Sequence, residues 1–143
     1  MQDIIKAASK NDLDGVVDAL IMGDHPNCVN ECGSFPLKLA TQYGNLDMVR
    51  LLLHHGAEVD MRGAGGATAL MNAAWNGYSK IVRILIDAGA DTSLRDAQGR
   101  TAWDRAALGG HSMDRVLMAM LTPRWKRAQR RMEINKHMIV VRM

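Results

Sequence analysis

The chain has 143 residues, a net charge of +3 and 48% hydrophobic residues, which suits one domain that buries about two thirds of its unfolded surface. Its two cysteines, Cys28 and Cys32, are too few for the disulfide framework of a small secreted domain. The first residues, MQDIIKAASKND, lack a basic leader pattern, and no apolar run approaches the roughly 18 residues of a membrane span, so the sequence predicts a soluble chain in the cytoplasm, the nucleus or both.

The positive charge is confined to the C-terminal end. Residues 1–121 carry 11 Lys and Arg against 14 Asp and Glu, whereas residues 122–143 carry 7 against 1. The sequence therefore predicts a mildly acidic body with a basic tail. The net charge of the whole chain consequently says nothing about what the body binds.

Several residue types recur at a fixed step of 33 residues. The glycine columns are Gly33, Gly66, Gly99; Gly44, Gly77, Gly110; and Gly23, Gly56, Gly89. The small and apolar columns are Ala7, Ala40, Ala73, Ala106; Ile4, Leu37, Leu70, Trp103; and Val16, Val49, Val82. A period of this length predicts stacked units, each too small to bury its apolar face alone.

Each unit has the local signals of two short helices. The first unit shows Lys, Asp and Asn outward and lacks an opening turn, which predicts an N-terminal cap. In the later units Pro36 suits a first helical residue, Thr68 and Thr101 suit N-caps, and the glycines of the second column above suit the left-handed end of the first helix. The second helices, LDMVRLLLHHG and YSKIVRILIDAG, have apolar residues at i, i+3, i+4 and i+7.

The stretch GATALMNAAWNGYSKIVRILIDAGADTSLRDAQ resembles an ankyrin repeat, and GSFPLKLATQYGNLDMVRLLLHHGAEVD resembles the repeat before it. The resemblance covers residues 1–121 and implies an all-α solenoid of stacked helix-turn-helix units with hairpin tips. The units are expected at about 1–32, 33–65, 66–98 and 99–121. For function, the resemblance implies a non-catalytic module for protein–protein interaction.

The chain departs from the family pattern at the start of the first helices. Phe35 stands where the family has Thr, and Lys38, Met71 and Asp104 stand where it has His. The usual hydrogen bond from Thr to His is therefore not expected in any unit, and packing is expected to stabilise these positions instead.

The fourth unit departs further. Trp103 replaces Leu in its column and is expected to be a larger core residue. Asp114 and Arg115 fall where the apolar step expects Ile or Val. This mismatch predicts that the second helix, within MDRVLMAML, is shifted by one residue.

Sequence signals for catalysis or metal binding are weak. GAGGAT, at residues 63–68, lacks the Lys-Ser/Thr and the preceding strand of a phosphate-binding loop. His25, Cys28 and Cys32 provide three metal ligands, whereas a structural zinc ion takes four. No nucleophile, base and orienting acid can be placed together from spacing. The sequence therefore predicts no enzyme, no cofactor and no metal site.

The resemblance implies that a partner binds the concave side, which is formed by turn tips and first-helix faces. Carried over by position, the binding residues are Glu31, Ser34, Gln42, Tyr43, Arg62, Trp75, Asn76, Arg95, Gln98 and Arg100. Tyr, Trp and Arg dominate many binding interfaces. The small residues Ala64, Gly65 and Ala67 of the central turn are expected to let a partner approach the backbone. We expect a monomer that binds an acidic protein or peptide on a preformed groove.

Two other functions are compatible with the sequence. The first is binding of nucleic acid or another acidic surface through the basic tail, because the cations are concentrated there. The second is an inhibitory module that occludes a partner enzyme, as some relatives do with kinases. No residue pattern in the sequence selects such an enzyme.

The tail contains TPRWKRAQRR at residues 122–131. Thr122 suits an N-cap and Pro123 a first helical residue, which predicts a helix of about 12 to 16 residues. One face would carry Trp125 and other apolar residues, and the other face would carry Arg124, Lys126, Arg127, Arg130 and Arg131. An amphipathic helix of this kind is expected to cap the open end of the stack. The alternatives are calmodulin-like recognition, a membrane surface, a nuclear-import signal and nucleic acid.

Overall fold

A computed structural model describes residues 3–123, 126–127 and 131–132. Every regular element in these residues is a helix. The α-helices are α1 (Asp3–Ser9), α2 (Leu13–Ile21), α3 (Pro36–Gln42), α4 (Leu46–His54), α5 (Ala69–Asn76), α6 (Ser79–Asp87), α7 (Ala102–Leu108) and α8 (Arg115–Leu121). A single turn of 3₁₀ helix covers Ala64–Gly66.

The helices form two layers of a stack. Each unit contributes a pair, because α1 contacts α2, α3 contacts α4, α5 contacts α6 and α7 contacts α8. The first helices contact one another in the order α1, α3, α5 and α7, and the second helices in the order α2, α4, α6 and α8. The architecture is therefore the predicted all-α solenoid, in which each unit contacts its neighbours.

The first helices of the second, third and fourth units begin and end at the predicted residues. Thr68 and Thr101 are N-caps whose hydroxyls accept hydrogen bonds from the backbone N–H three residues later, and Pro36 opens α3. Gly77 ends α5 with φ 71°, a left-handed conformation that favours glycine. The corresponding glycines of the other two units also have positive φ, so the predicted ends are confirmed.

The core lies between the two layers and contains the repeated apolar columns. Leu37 and Leu70 are 1% exposed, and the three Val residues of the repeat are fully buried. Trp103 is an exception, because it is half-buried and packs against the edge of the core. The expectation that Trp103 is a core residue is therefore wrong, because α7 belongs to the last repeat unit among the described residues.

The fourth unit is shifted by three residues, so the predicted shift of one is wrong. A step of 33 from Leu46 and Ser79 would start α8 at residue 112, but α8 starts at Arg115. An extra turn precedes α8, in which the Asp114 N–H donates to the carbonyl of His111. This turn places Leu117 and Leu121 in the core, with the same four-residue spacing as the buried Ile81 and Leu85 of α6.

The fourth unit also replaces the missing hydrogen bond from Thr to His. The Asp104 carboxylate accepts from the Thr101 N–H at 2.9 Å and from the Thr101 hydroxyl at 3.1 Å. The expectation that packing alone stabilises this position is therefore wrong in this unit. A carboxylate can take the role of the imidazole, because it accepts two hydrogen bonds at once.

Gly109 links the third and fourth units by close backbone contact. A Cβ atom at this position would overlap the carbonyl oxygen of Trp75, and Gly109 itself has an ordinary φ of −74°. We expect Gly109→Ala to destabilise the stack by about 2 kcal/mol through overpacking. Urea unfolding followed by circular dichroism measures this. Leu108→Ala is the control, because Leu108 is 57% exposed and should change stability by less than about 0.5 kcal/mol. Equal midpoints for Gly109→Ala and wild type would contradict the contact.

Candidate partner-binding surface

Three turns project from the stack at equivalent positions. Each is closed by a backbone hydrogen bond between residues four apart, from Asn30 N–H to Ser34, from Gly63 N–H to Ala67, and from Asp96 N–H to Arg100. The bond lengths are 3.0, 3.0 and 2.9 Å. The turns therefore repeat at the same 33-residue step as the helices.

Side chains brace the first and third turns in the same way. The Asn30 Oδ1 atom accepts from the N–H groups of Cys32 and Ser34. The Asp96 Oδ1 atom accepts from the N–H groups of Gln98 and Arg100 at 2.9 Å each. These two turns are consequently fixed by their own side chains.

The central turn is built differently. A Cβ atom at Gly63 would lie 2.6 Å from the carbonyl oxygen of Gly33, so only glycine fits there. The Gly65 carbonyl accepts from the Ala97 N–H at 2.9 Å, and Ala67 is 5% exposed. The expected open approach to this backbone is therefore wrong in part, because the neighbouring turn uses the Gly65 carbonyl and the core covers Ala67. Ala64 and Gly65 themselves are exposed.

Asp96 is the centre of a buried charge cluster. Its Oδ2 atom accepts from Arg100 Nε at 3.2 Å and from Arg105 Nε and Nη2 at 3.0 and 2.8 Å. The Asp96 side chain is 1% exposed. Burial raises the pKa of this carboxyl group, but the hydrogen bonds from Arg100, Arg105 and Gln98 outweigh burial and lower the pKa to about 2. Asp96 is therefore charged at neutral pH.

The other two predicted arginines donate hydrogen bonds to the backbone of the third turn. Arg62 Nη1 donates to the Arg95 carbonyl at 3.0 Å, and Arg95 Nη1 donates to the Gly99 carbonyl at 2.8 Å. Both side chains belong to exposed residues. Arg62 thus joins the central turn to the third and Arg95 braces the third turn, whereas Arg100 pairs with Asp96.

The two predicted aromatic residues lie in different surroundings. Trp75, on α5, is 44% exposed, and its carbonyl oxygen is hydrogen-bonded to His111 Nε2 at 3.1 Å. Tyr43, at the end of α3, is 50% exposed and its hydroxyl donates to the Ser9 carbonyl. Tyr43 therefore ties the second unit to the first, whereas the Trp75 ring is left exposed on α5.

A cleft of about 440 Å³ joins the first helices to the third turn, and it is lined by Gln42, Asn72, Trp75, Asn76, Arg100 and Arg105. Four of these were predicted: Gln42, Trp75, Asn76 and Arg100. The remaining predicted residues do not line the cleft, and they are Glu31, Ser34, Tyr43, Arg62, Arg95 and Gln98. The structure thus brings together a subset of the predicted site.

Asn72 and Arg105 line the cleft but are not among the binding residues predicted from the sequence. They are 33 residues apart and share a column with Leu39, which is buried. A column that starts with an apolar Leu does not indicate a binding position by itself. Two polar residues in successive units of this column were the signal that could have found them.

Comparison with known proteins fits this architecture. Residues 4–96 match the family described as ankyrin repeats (3 copies). The chain belongs to the ankyrin repeat family. Ankyrin repeats are generally protein–protein interaction modules and are typically non-catalytic, so the family assignment agrees with the resemblance, the fold class and the general function predicted from the sequence.

Two relatives align with about half of this ankyrin chain. An ankyrin repeat-containing protein of Schizosaccharomyces pombe, P1E11.10, is 34% identical over 64 residues, which are 45% of this chain and 31% of the relative. The 2-5A-dependent ribonuclease of Mus musculus is 41% identical over 71 residues, which are 49% of this chain and 10% of that protein. The chain thus spans less than a third of either relative.

The described part of the basic tail contacts the end of the ankyrin stack. Lys126 Nζ lies 3.7 Å from the centroid of the Trp103 ring, within the range of a cation–π interaction. Arg127 Nη2 donates to the carbonyls of Ala119 and Met120 at 3.1 and 3.3 Å, where a cation is favoured by the helix dipole of α8. Two of the five predicted tail cations therefore contact the stack.

The other tail predictions are only partly covered by the structure. Arg131 is exposed and helical, whereas Arg124, Trp125 and Arg130 lie outside the described residues. The Thr122 hydroxyl donates to the Met118 carbonyl of α8. Its predicted role as an N-cap depends on the N–H groups of residues 124 and 125, which lie outside the described residues. In the described ranges of the chain, no helix is long and apolar enough to span a membrane.

Proposed function

We propose that this ankyrin stack is a non-catalytic module that binds a protein or peptide on the face formed by its turn tips and first helices. The observation that carries the proposal is the cleft beside Trp75. A large aromatic ring that is 44% exposed in a cleft with polar donors is typical of a binding hot spot, because such rings are enriched there. The bracing of the first and third turns supports docking onto a preformed surface.

The partner is proposed to be acidic at the point of contact. Arg100 and Arg105 line one wall of the cleft, and guanidinium groups bind carboxylates with two parallel hydrogen bonds. The body as a whole carries more acidic than basic residues, so an acidic partner would be drawn to this local site rather than to the general surface.

The double substitution Trp75→Ala with Arg100→Ala tests the proposed face. We expect it to weaken partner binding by about 2 kcal/mol or more, because it removes the exposed ring and one guanidinium. Partners are captured from native lysate with wild type, identified, purified and titrated against both proteins by calorimetry. The face is assigned wrongly if the double variant binds the recovered partners with wild-type affinity.

The control for this experiment is a double substitution on the second helices. Arg83 of α6 is exposed and Val116 of α8 is 65% exposed, and neither lines the cleft. Arg83→Ala with Val116→Ala should leave binding unchanged. Because Arg100 also contacts Asp96, thermal unfolding of each variant must show that the stack is folded at the temperature of titration.

The remaining details stay predictions. They comprise the absence of catalysis and of cofactors, the monomeric state, the cytoplasmic or nuclear location, the repeat boundaries and the cap formed by residues 122–143. The contacts of Lys126 and Arg127 with the stack support the cap over nucleic-acid binding, because cations that contact the body are less available to phosphates.

A further inference from the structure

Asn72 holds an unused hydrogen-bond donor at the cleft. Its Nδ2 atom is buried and, among the described residues, has no hydrogen-bond partner. A buried amide without a partner costs free energy relative to water, so buried donors are normally satisfied. The other cleft amide on α5, Asn76, donates to the Asn72 backbone carbonyl at 3.0 Å, which leaves the Asn72 side chain as the unsatisfied group.

The Asn72 amide can present this donor to a ligand. The terminal torsion of an asparagine side chain has a broad energy profile, and no hydrogen bond holds Nδ2 in its present position. A half-turn about this torsion exchanges the positions of Nδ2 and Oδ1, and can therefore place the donor toward the cleft that Asn72 lines. The backbone of α5 does not have to move.

The arginines beside Asn72 are held in place by Asp96. Arg105 uses Nε and Nη2, and Arg100 uses Nε, to bind the same Oδ2 atom. Arg105 is thus held by two hydrogen bonds and Arg100 by one, while Arg105 Nη1 and both terminal nitrogens of Arg100 make no hydrogen bond to Asp96. The two arginines are consequently held at the cleft before a ligand arrives, which lowers the entropy cost of binding.

The charge of the cleft wall favours an anionic ligand. Two guanidinium groups and one carboxylate, from Arg100, Arg105 and Asp96, leave one positive charge in excess. A group with a single negative charge and two acceptor oxygens compensates this excess and matches the planar donors.

We infer that the cleft is a subsite for one carboxylate, supplied by an Asp or Glu side chain of the bound protein or peptide, with Asn72, Arg100 and Arg105 as donors. The inference rests on the proposed function, because it assigns the chemistry of the same face. Asp96 is a positioning residue, and Trp75 packs against the chain that carries the acid.

Selection of peptides tests the subsite without a known partner. A phage-displayed library of random dodecapeptides is selected on the full chain, and peptides that lose binding to Trp75→Ala are retained. We expect one acidic position to be enriched among the retained sequences. Replacing this acid by its amide in a synthetic peptide should raise Kd at least tenfold, as measured by fluorescence anisotropy.

A double-mutant cycle connects the acid to Asn72. Leu has the same γ-branched arrangement of heavy atoms as Asn and removes the unpaired donor, and Asn72 borders an open cleft that can take the larger methyl groups. Asn72→Leu should therefore unfold at the same temperature as wild type or higher. We expect the acid-to-amide change to raise the Kd at least tenfold with wild type and less than about threefold with Asn72→Leu. Arg105→Lys keeps the charge but loses the planar guanidinium group. For this variant the rise in Kd should lie between those of wild type and Asn72→Leu.

The outcomes separate the subsite from the proposed function. If Trp75-dependent peptides are recovered but show no acidic position, or if the acid-to-amide change has the same effect with wild type and Asn72→Leu, the carboxylate subsite is overturned and the binding face stands. If every selected peptide binds Trp75→Ala as well as wild type, the face itself is wrong and the subsite is overturned with it.

Discussion

Phe35→Ala is expected to destabilise the stack by about 4 kcal/mol, as for other buried aromatic residues. Phe35 is 1% exposed and belongs to the main core. Its ring also contacts the central turn, because a Cβ atom at Gly63 would lie 3.1 Å from a ring carbon. Loss of the ring therefore removes packing in the second unit and at the next turn.

The more informative change is Phe35→Thr, which restores the residue usual in ankyrin repeats. The new hydroxyl could cap α3, which now begins without a side-chain cap, and such a cap is worth about 1 kcal/mol. The lost aromatic burial is worth more, so we expect a net loss of about 2 to 3 kcal/mol. Urea unfolding followed by circular dichroism measures both variants.

The control for Phe35 is Thr68→Ala, which removes an existing cap at the same position of the next unit. Thr68 accepts from the Met71 N–H, and its loss should cost about 1 kcal/mol. If Phe35→Thr were as stable as wild type, capping would outweigh aromatic packing at this position and the argument would fail.

Asp96→Ala is expected to destabilise the stack by about 3 kcal/mol. The substitution removes the acceptors of two backbone N–H groups and leaves Arg100 and Arg105 without their shared anion. Breaking a buried ion pair from one side leaves an uncompensated charge, which is the costly case. Asp96→Asn should cost about half as much, because an amide oxygen, that of Asn30, already braces the equivalent first turn.

The pH dependence of Asp96→Asn separates charge from turn bracing. The folded pKa of Asp96 is about 2, below the ordinary value of 3.8, so the charged form is favoured by folding. This contribution is complete above about pH 4 and is lost as the pH falls through 2. The difference in unfolding free energy between wild type and Asp96→Asn should therefore shrink between pH 4 and pH 2. A difference independent of pH in this range would contradict the charge cluster.

Much of the fold followed from the sequence alone. The 33-residue step, the threonine caps, the glycine helix ends and the buried Val and Leu columns were predicted correctly. These features are local or repeat within each unit, so one residue type at one spacing specifies them. The regular repeat spacing also placed four residues of the cleft on one face, namely Gln42, Trp75, Asn76 and Arg100.

The tertiary structure decided the features that depend on contacts between units. The extra turn before α8, the pairing of Asp96 with Arg105, and the unsatisfied amide of Asn72 involve atoms whose meeting no local pattern specifies. The sequence determined that this chain is an ankyrin stack with its turns and first helices on one face. Only the packing of one unit on the next decided which side chains of that face share a cleft, because their distances depend on how neighbouring units stack.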